Sequence, residues 1–381
     1  MSGDPLFDPI TIGTMQLANR IVMAPMTRFF APGGILTPDV VPYYARRARG
    51  GTGLIITEGT VVDHPVAHYS TTVPHFYGEA ALARWREVVD AVHAEGGKII
   101  PQLWHTGLSR LRHKTHNPDV PSISASVITE EDVGAPPLPG GKIRPATRAM
   151  EQQDIDAVIA AFARGAADAR AIGFDGVAIH GAHGYLLDQF IWAQSNRRED
   201  AYGGPIENRI RFAAELVAAV RAAVGPDFPI FFRFSQWKGH DYNARIADTP
   251  EELARILQPL AQAGVDVFDA STRRFWQPAF EGSPLNLAGW AKKLTGKRAM
   301  TVGSVGLEDP ANFTPGAPVS AVAVANLAPL RRMLESGEVD LAGVGRALIA
   351  NADWADLVRG GRYDDLRAYD PKAVVASLEP A

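Results

Sequence analysis

The stretch Ile21-Val22-Met23-Ala24-Pro25-Met26-Thr27 decides between two architectures. It reads as a short apolar, β-branched strand that runs into the turn Pro25-Met26-Thr27. An open, doubly wound sheet that binds a dinucleotide carries a G-x-G-x-x-G turn directly after its first strand, because the pyrophosphate needs close approach to the backbone. No such motif follows Thr27, and the cluster Gly50-Gly51-Thr52-Gly53 lies before a strand instead of after one. A chain built from alternating strands and helices then closes into a parallel barrel.

The alternation holds along the whole sequence. Short apolar runs at Ile21–Pro25, Leu54–Thr57, Lys98–Leu103, Gly176–His180, Pro229–Phe234, Val265–Ala270, Ala299–Val302 and Leu341–Gly345 predict eight strands. Amphipathic stretches between them predict helices at Thr37–Arg49, Glu79–Ala94, Glu151–Ile172, Pro205–Val224, Pro250–Ala263 and Leu327–Ser336. Thr37 ahead of Pro38, and Thr249-Pro250-Glu251-Glu252, look like helix starts with a capping hydroxyl and a proline in the first turn. The expected fold is one α/β domain, a (βα)8 barrel over residues 1–381. Residues 1–18, with a turn signal at Gly13-Thr14, predict a hairpin that plugs one end. Residues 105–148, rich in Pro, Gly and Ser, predict a lid or capping excursion over the other.

Composition narrows the function. Of 381 residues 46% are hydrophobic, enough for a large core, and the net charge of −4 gives no attraction to nucleic acid or an acidic membrane. The absence of cysteine removes disulfides, thiolate metal ligands and thiol nucleophiles together. The N-terminal MSGDPLFDPITIGTM lacks the basic and apolar regions of a signal peptide, and no run suits a membrane span, so a cytoplasmic protein is expected. Monomer and homo-oligomer are equally compatible with the sequence.

Chemistry in such barrels sits at the C-terminal ends of the strands. There the chain offers Pro25-Met26-Thr27, Glu58-Gly59, Gln102-Leu103-Trp104, His180-Gly181-Ala182-His183-Gly184-Tyr185, Arg233, Gly303-Ser304 and Gly345-Arg346. Glycine-rich turns after the seventh and eighth strands, with an arginine, are the usual phosphate cradle of this fold, although such glycines also serve simply to close tight turns. His180 and His183 admit three readings. They could ligate a metal in a barrel hydrolase or lyase, which needs a third ligand that no motif supplies. They could be structural. Or their two imidazole N–H groups could hold one carbonyl oxygen and polarise a conjugated double bond, with Tyr185 as proton donor, a phenol of pKa about 10. His64, His68 and His75 form no recognisable constellation, and His105 suits a local hydrogen bond.

The block HGAHGYLLDQFIWAQSNRREDAYGGPIENRIRF, His180 to Phe212, resembles the signature region of the Old Yellow Enzyme family. NRIVMAPMTR (Asn19–Arg28), LIITEGT (Leu54–Thr60), PQLWHTG (Pro101–Gly107), FFRFS (Phe231–Ser235), TVGSVG (Thr301–Gly306) and GVGRALIANADW (Gly343–Trp354) follow the same likeness. The resemblance implies an ene-reductase with tightly but non-covalently bound FMN and NAD(P)H as a transient hydride donor. Its substrates would be α,β-unsaturated carbonyls or nitroalkenes. Pro25, Met26 and Gly59 would lie against the flavin ring, Thr27 on its O4, Gln102 on its pyrimidine edge and Arg233 near N1 and O2. Gly303, Ser304, Gly345 and Arg346 would hold the phosphate. His180 and His183 would take the substrate oxygen, Tyr185 would protonate Cα, and Trp104 and Thr27 would shape the pocket. Phe275 and Trp276, on the loop after the sixth strand, are expected either at the substrate mouth or packed on the barrel. A flavin binder without reductase turnover stays open as well.

Overall fold

The structure, a computed structural model, describes residues 3–110, 114–128, 147–308, 319–372 and 377–378. Much of the expected lid, including 129–146, lies outside the described residues. β1 (Ile10–Ile12) and β2 (Met15–Leu17) pair as the expected antiparallel hairpin. Gly13 at its turn has φ +56°, and a Cβ there would stand 2.5 Å from the Asp227 carbonyl oxygen, so the turn requires glycine on both counts.

Eight parallel strands then close a barrel: β3 (Ile21–Met23), β4 (Leu54–Val61), β5 (Lys98–Trp104), β8 (Val177–His180), β9 (Ile230–Phe234), β10 (Val267–Ser271), β11 (Arg298–Val302) and β12 (Leu341–Val344). Between β5 and β8, β6 (Ser122–Ser124) and β7 (Thr147–Ala149) form a separate parallel pair. Helices follow the barrel strands: α1 (Val40–Arg49), α2 (Glu79–Ala94), α3 (Gln152–Ala171), α4 (Leu186–Ile191), α5 (Ile206–Arg209), α6 (Arg211–Val224), α7 (Pro250–Ala263), α8 (Leu287–Thr295), α9 (Leu327–Glu335), α10 (Arg346–Ala350) and α11 (Trp354–Arg359).

Strand alternation divides the apolar residues into two sets. Val22, Ala24, Leu54, Ile56, Ile100, Ala178, Phe231, Val267, Met300, Val302 and Leu341 fill the barrel, and Ile10, Ile12, Met15 and Leu17 of the hairpin seal that cluster. Their strand neighbours, such as Ile21, Ile99, Ile230 and Phe232, belong to the larger cluster under the helices. The same parity carries upward: Gln102 follows Ile100 by two residues, His180 follows Ala178, Arg233 follows Phe231 and Asp269 follows Val267. Site residues therefore point inward at the mouth because the residue two positions before each one points inward below it.

Two expectations about helices need correction. Thr37 caps nothing: Val40 N–H donates to the Thr37 carbonyl, a turn intervenes, and α1 starts at Val40 with the Thr37 hydroxyl buried and unpartnered. The run Pro205–Val224 is interrupted at Ile210. A helix not predicted from the sequence, α8, follows the loop after β10, capped by Asn286 Oδ1 on Gly289 N–H at 2.8 Å and stopped by left-handed Gly296. Thr249, in contrast, caps α7 as expected, accepting from Glu252 N–H at 3.2 Å.

The plug is expected to be part of the core rather than an appendage. Leu17→Ala should lower the unfolding free energy by about 2–5 kcal/mol in urea denaturation while leaving ligand affinity at the opposite mouth unchanged.

Candidate active site

In the register of the sheet His180 pairs with Arg233, Arg233 with Asp269, and Asp269 with Met300, so three polar side chains stand in one layer above the apolar filling. Arg233 Nη1 donates to Asp269 Oδ2 at 2.5 Å, and both side chains are almost wholly buried. Burial raises the Asp269 carboxyl pKa and the Arg233 charge opposes that rise. One layer higher, the Ser271 hydroxyl accepts from Arg233 Nη2 at 3.2 Å and meets His183 Nε2 at 2.9 Å.

Ser271 Oγ links the two: it accepts from Arg233 Nη2 and is hydrogen-bonded to His183 Nε2, and a hydroxyl with one proton and two lone pairs serves either tautomer of that ring. His180 is fixed by the backbone: its Nδ1 accepts from Ala182 N–H at 3.3 Å, which leaves Nε2–H as the donor. Burial, reinforced by the Arg233 charge, drives the pKa of His180 well below 6.5; burial, His180, Arg233 and Lys238 do the same to His183. Both rings are held neutral. Their centroids lie 5.2 Å apart, and Tyr185 stands edge-on to His180 at 5.0 Å and to Trp104 at 4.8 Å.

The loop that carries this group is held by buried polar bonds. His183 takes φ +66°, costly for a residue with a Cβ, and Ser235 Oγ accepts its N–H while Gly239 N–H donates to its carbonyl. Trp237 stacks on the His183 ring at 4.2 Å. Asp188, on α4, accepts from Gly184 N–H and from Lys238 Nζ, the latter at 2.8 Å with both side chains shielded from water. Burial raises the Asp188 carboxyl and lowers the Lys238 ammonium, and each partner's charge counters the shift in the other.

The other expected flavin contacts lie at neighbouring strand ends. Gln102 is buried with its Nε2 unpartnered, a donor waiting for a ligand acceptor. At Gly59 a Cβ would come within 2.6 Å of the Trp104 ring, so this stretch of wall is bare backbone. Gly303 and Ser304 take φ +142° and +57° in succession, a turn held by Ser304 Oγ on the Arg273 carbonyl. Met26 Sδ lies against Gly345, which brings the first and last strand ends together, and Pro25, Thr27 and Arg346 are half-buried there. An orphan amide donor, a flat glycine wall and a left-handed turn suit a planar heterocycle with a phosphate tail.

Of the two places expected for Phe275, the packed one is found: it is fully buried, with its carbonyl held by Asn286 Nδ2. Trp276 is half-buried edge-on against it at 5.1 Å. The histidines that formed no constellation in sequence do meet: His64 and His105 are hydrogen-bonded at 3.1 Å, and His68, His75 and His116 are neighbours. His105 also makes the expected local bond, from Gly107 N–H. Among the described residues no three His, Asp or Glu side chains could hold a metal, so the metal reading of His180 and His183 gains nothing. Sequence reasoning missed Asp188, Lys238, Trp237, Asp269 and Ser271. The signal for Asp269 and Ser271 was parity with Val267 on one strand; Lys238 gave none.

The chain belongs to the NADH:flavin oxidoreductase / NADH oxidase family, whose profile matches residues 5–365. It is similar to the NADH oxidase of Thermoanaerobacter brockii, 33% identical over 95% of this chain and 52% of that protein, and so spans about half the length of that relative. It is similar over nearly full length to a chanoclavine-I aldehyde reductase of Penicillium roqueforti, at 34% identity over 96% of this chain and 93% of the other. Among solved structures it resembles the Old Yellow Enzyme homologue of Zymomonas mobilis, with a TM-score of 0.76, 26% identity, and 93% and 92% of the two chains covered.

Two outcomes follow. Because both imidazoles are neutral, the dissociation constant of a non-reducible carbonyl ligand should stay level between pH 8 and 6; an acid limb centred near the ordinary histidine value of 6.5 would show a solvated, protonating ring. Ser271→Ala should raise that dissociation constant by about tenfold, the worth of one hydrogen bond to the clamp, without unfolding the protein in a thermal melt.

Proposed function

We propose that this protein reduces activated C=C bonds of α,β-unsaturated carbonyls, and of nitroalkenes, with NAD(P)H as hydride donor and FMN as cofactor. The observation that carries the reading is the clamp: two neutral imidazoles stand side by side next to Tyr185, with His180 presenting its Nε2–H. Pro25, Met26, Thr27, Gly59, Gln102 and Arg233 would hold the flavin ring, and Gly303, Ser304, Gly345 and Arg346 its phosphate. When bound, that group supplies hydride transfer in both directions.

The protein residues perform the rest. His180, through its Nε2–H, and His183 bind the substrate oxygen and stabilise negative charge as it grows there. Being neutral, they stabilise that charge without surrendering a proton to it. Tyr185 delivers the proton to Cα. Trp104, stacked on His180 at 5.9 Å and edge-on to Tyr185, sets the wall of the pocket. One pocket serves nicotinamide and enone in turn, in keeping with a chain that has no dinucleotide motif.

The single domain and its lid belong to the same reading. Thr71 N–H donates to Lys114 O, Asn117 Nδ2 to Pro65 O and Ser124 Oγ to Gln189 Oε1, bonds that tie described parts of 105–148 to the loop after β4 and to α4 and support the lid reading there. Among the described residues no helix is long and apolar enough to cross a membrane. Together with the absence of cysteine, this is in keeping with a cytoplasmic enzyme acting on small molecules.

The first test is a visible spectrum. Flavin bands near about 370 and 450 nm should bleach with anaerobic NADPH or NADH and recover on adding cyclohexenone. A colourless protein that takes up no FMN refutes the reading, and bleaching without recovery leaves a flavin binder with no ene-reductase turnover. Tyr185→Phe should slow the recovery by about 10²–10⁴-fold and leave the bleaching rate unchanged; equal losses in both would remove the proton-donor role.

A further inference from the structure

A buried carboxylate lies behind the proposed flavin wall, outside the clamp. β4 slips its register against β5 between Ile56 and Gly59, and in that bulge Glu58 turns its side chain out of the barrel while remaining 1% exposed. Glu58 Oε2 accepts the Arg28 N–H at 3.0 Å, and the adjacent N–H of Phe29, a residue held at φ +63°, also favours the ionised carboxylate. Its own backbone N–H donates to the Tyr44 hydroxyl at 3.0 Å, and its carbonyl accepts from Thr57 Oγ1 at 2.8 Å. The same Thr57 oxygen accepts the Gln102 N–H at 3.1 Å. Three chain segments thus meet at Thr57-Glu58: the one ending in Thr27, the one carrying Gly59 and the one carrying Gln102.

We propose that Glu58 is the positioning residue for this wall: its carboxylate ties the turn after Thr27 to the strand carrying Gly59, and its ionisation state sets how firmly FMN is held. The inference rests on the FMN reading of the site. A carboxylate accepts two N–H bonds strongly, whereas the neutral acid is a weaker acceptor, and a loosened Arg28-Phe29 backbone frees the Thr27 hydroxyl. Oε1 has no partner, so protonation there meets no competing donor.

Burial raises the Glu58 carboxyl to about 7, opposed by the N–H groups and charge of Arg28 and by the Phe29 N–H. The other groups that face this region are Tyr43, Tyr44 and Arg47 on α1, and Tyr369 near Arg28 and Tyr43. Burial pushes the Tyr44 phenol well above 10 and holds Arg47 below its ordinary value, yet not into the neutral range. Glu58 is then the group of this cluster that changes charge between pH 6 and 8. The sign follows: the ionised, tightly holding form prevails above pH 7 and is lost as pH falls through 7.

Glu58→Gln keeps the shape and mimics the neutral acid. In the wild type the FMN dissociation constant, read by flavin fluorescence quenching, should rise by about tenfold from pH 8 to pH 6. Glu58→Gln should show the acid-limb affinity at every pH. Amide hydrogen exchange in the apoprotein provides a readout independent of flavin: Arg28 and Phe29 should lose protection in Glu58→Gln at pH 8. Wild-type affinity that is level over this range, or a variant that matches wild type in both affinity and exchange, overturns the proposal. A protein that takes up no FMN refutes the cofactor reading instead, and the exchange of Arg28 and Phe29 then decides the positioning role. If Glu58→Gln fails to fold, the wild-type pH profile decides alone.

Discussion

Ala24 N–H donates to the Val344 carbonyl and Ala342 N–H to the Arg20 carbonyl, both at 2.9 Å, and these backbone bonds join the last strand to the first across most of the chain. Closing the sheet leaves no edge and forces a tilt and stagger that set the level of every strand end. The position of Gly345 beside Met26 follows from that closure, as does the meeting of the expected phosphate turns with the expected flavin wall. Such a pairing brings a large loop-closure entropy, and the compensating terms are visible: the apolar filling of the barrel and the hairpin that seals it.

Within the mouth, a second constraint links the two halves of the proposed chemistry. Arg233 spends one nitrogen on Asp269 and one on Ser271, and Ser271 passes the effect to His183. The guanidinium proposed to sit by the flavin is therefore linked through one hydroxyl to an imidazole proposed to hold the substrate. Its positive charge has a further effect, disfavouring protonation of both His180 and His183. A clamp of two charged imidazoles would bind a carboxylate as readily as a carbonyl. Two neutral ones discriminate by geometry, because each offers a single N–H.

The barrel was legible because strand parity and helix amphipathicity are local properties, and the end of each strand is where the turn chemistry changes. The polar residues at those ends were legible for the same reason, and the resemblance to a known family supplied their expected roles. What stayed hidden depended on partners far apart in sequence. Lys238 reads as an ordinary loop lysine until Asp188 is placed beside it, and Glu58 reads as a strand-end acid until the bulge turns it toward Arg28. The place of Phe275 stayed open because an aromatic on a polar loop serves equally as a lining or an anchor, and only the Asn286 contact separates the two. Thr37-Pro38 mimicked a helix start because a turn and a capped first turn share the same residue preferences.

The buried charges show what this site is built to resist. Arg233–Asp269 and Lys238–Asp188 are both removed from water, and such pairs seldom add net stability over an apolar replacement. Their value lies in direction. An apolar pair at 188 and 238 could pack as well, but it would not fix the Gly184 N–H, and with it the backbone between His183 and Tyr185. His183 sits in a left-handed conformation that a flexible loop would abandon, so the loop must be pinned on both sides, by Ser235 and Gly239 at the residue itself and by Asp188 just after it. A clamp of neutral N–H groups gains only about 1 kcal/mol net from each bond, and small displacements would forfeit that gain. Rigidity bought with buried charge is the physical condition for a weakly polar clamp to work at all.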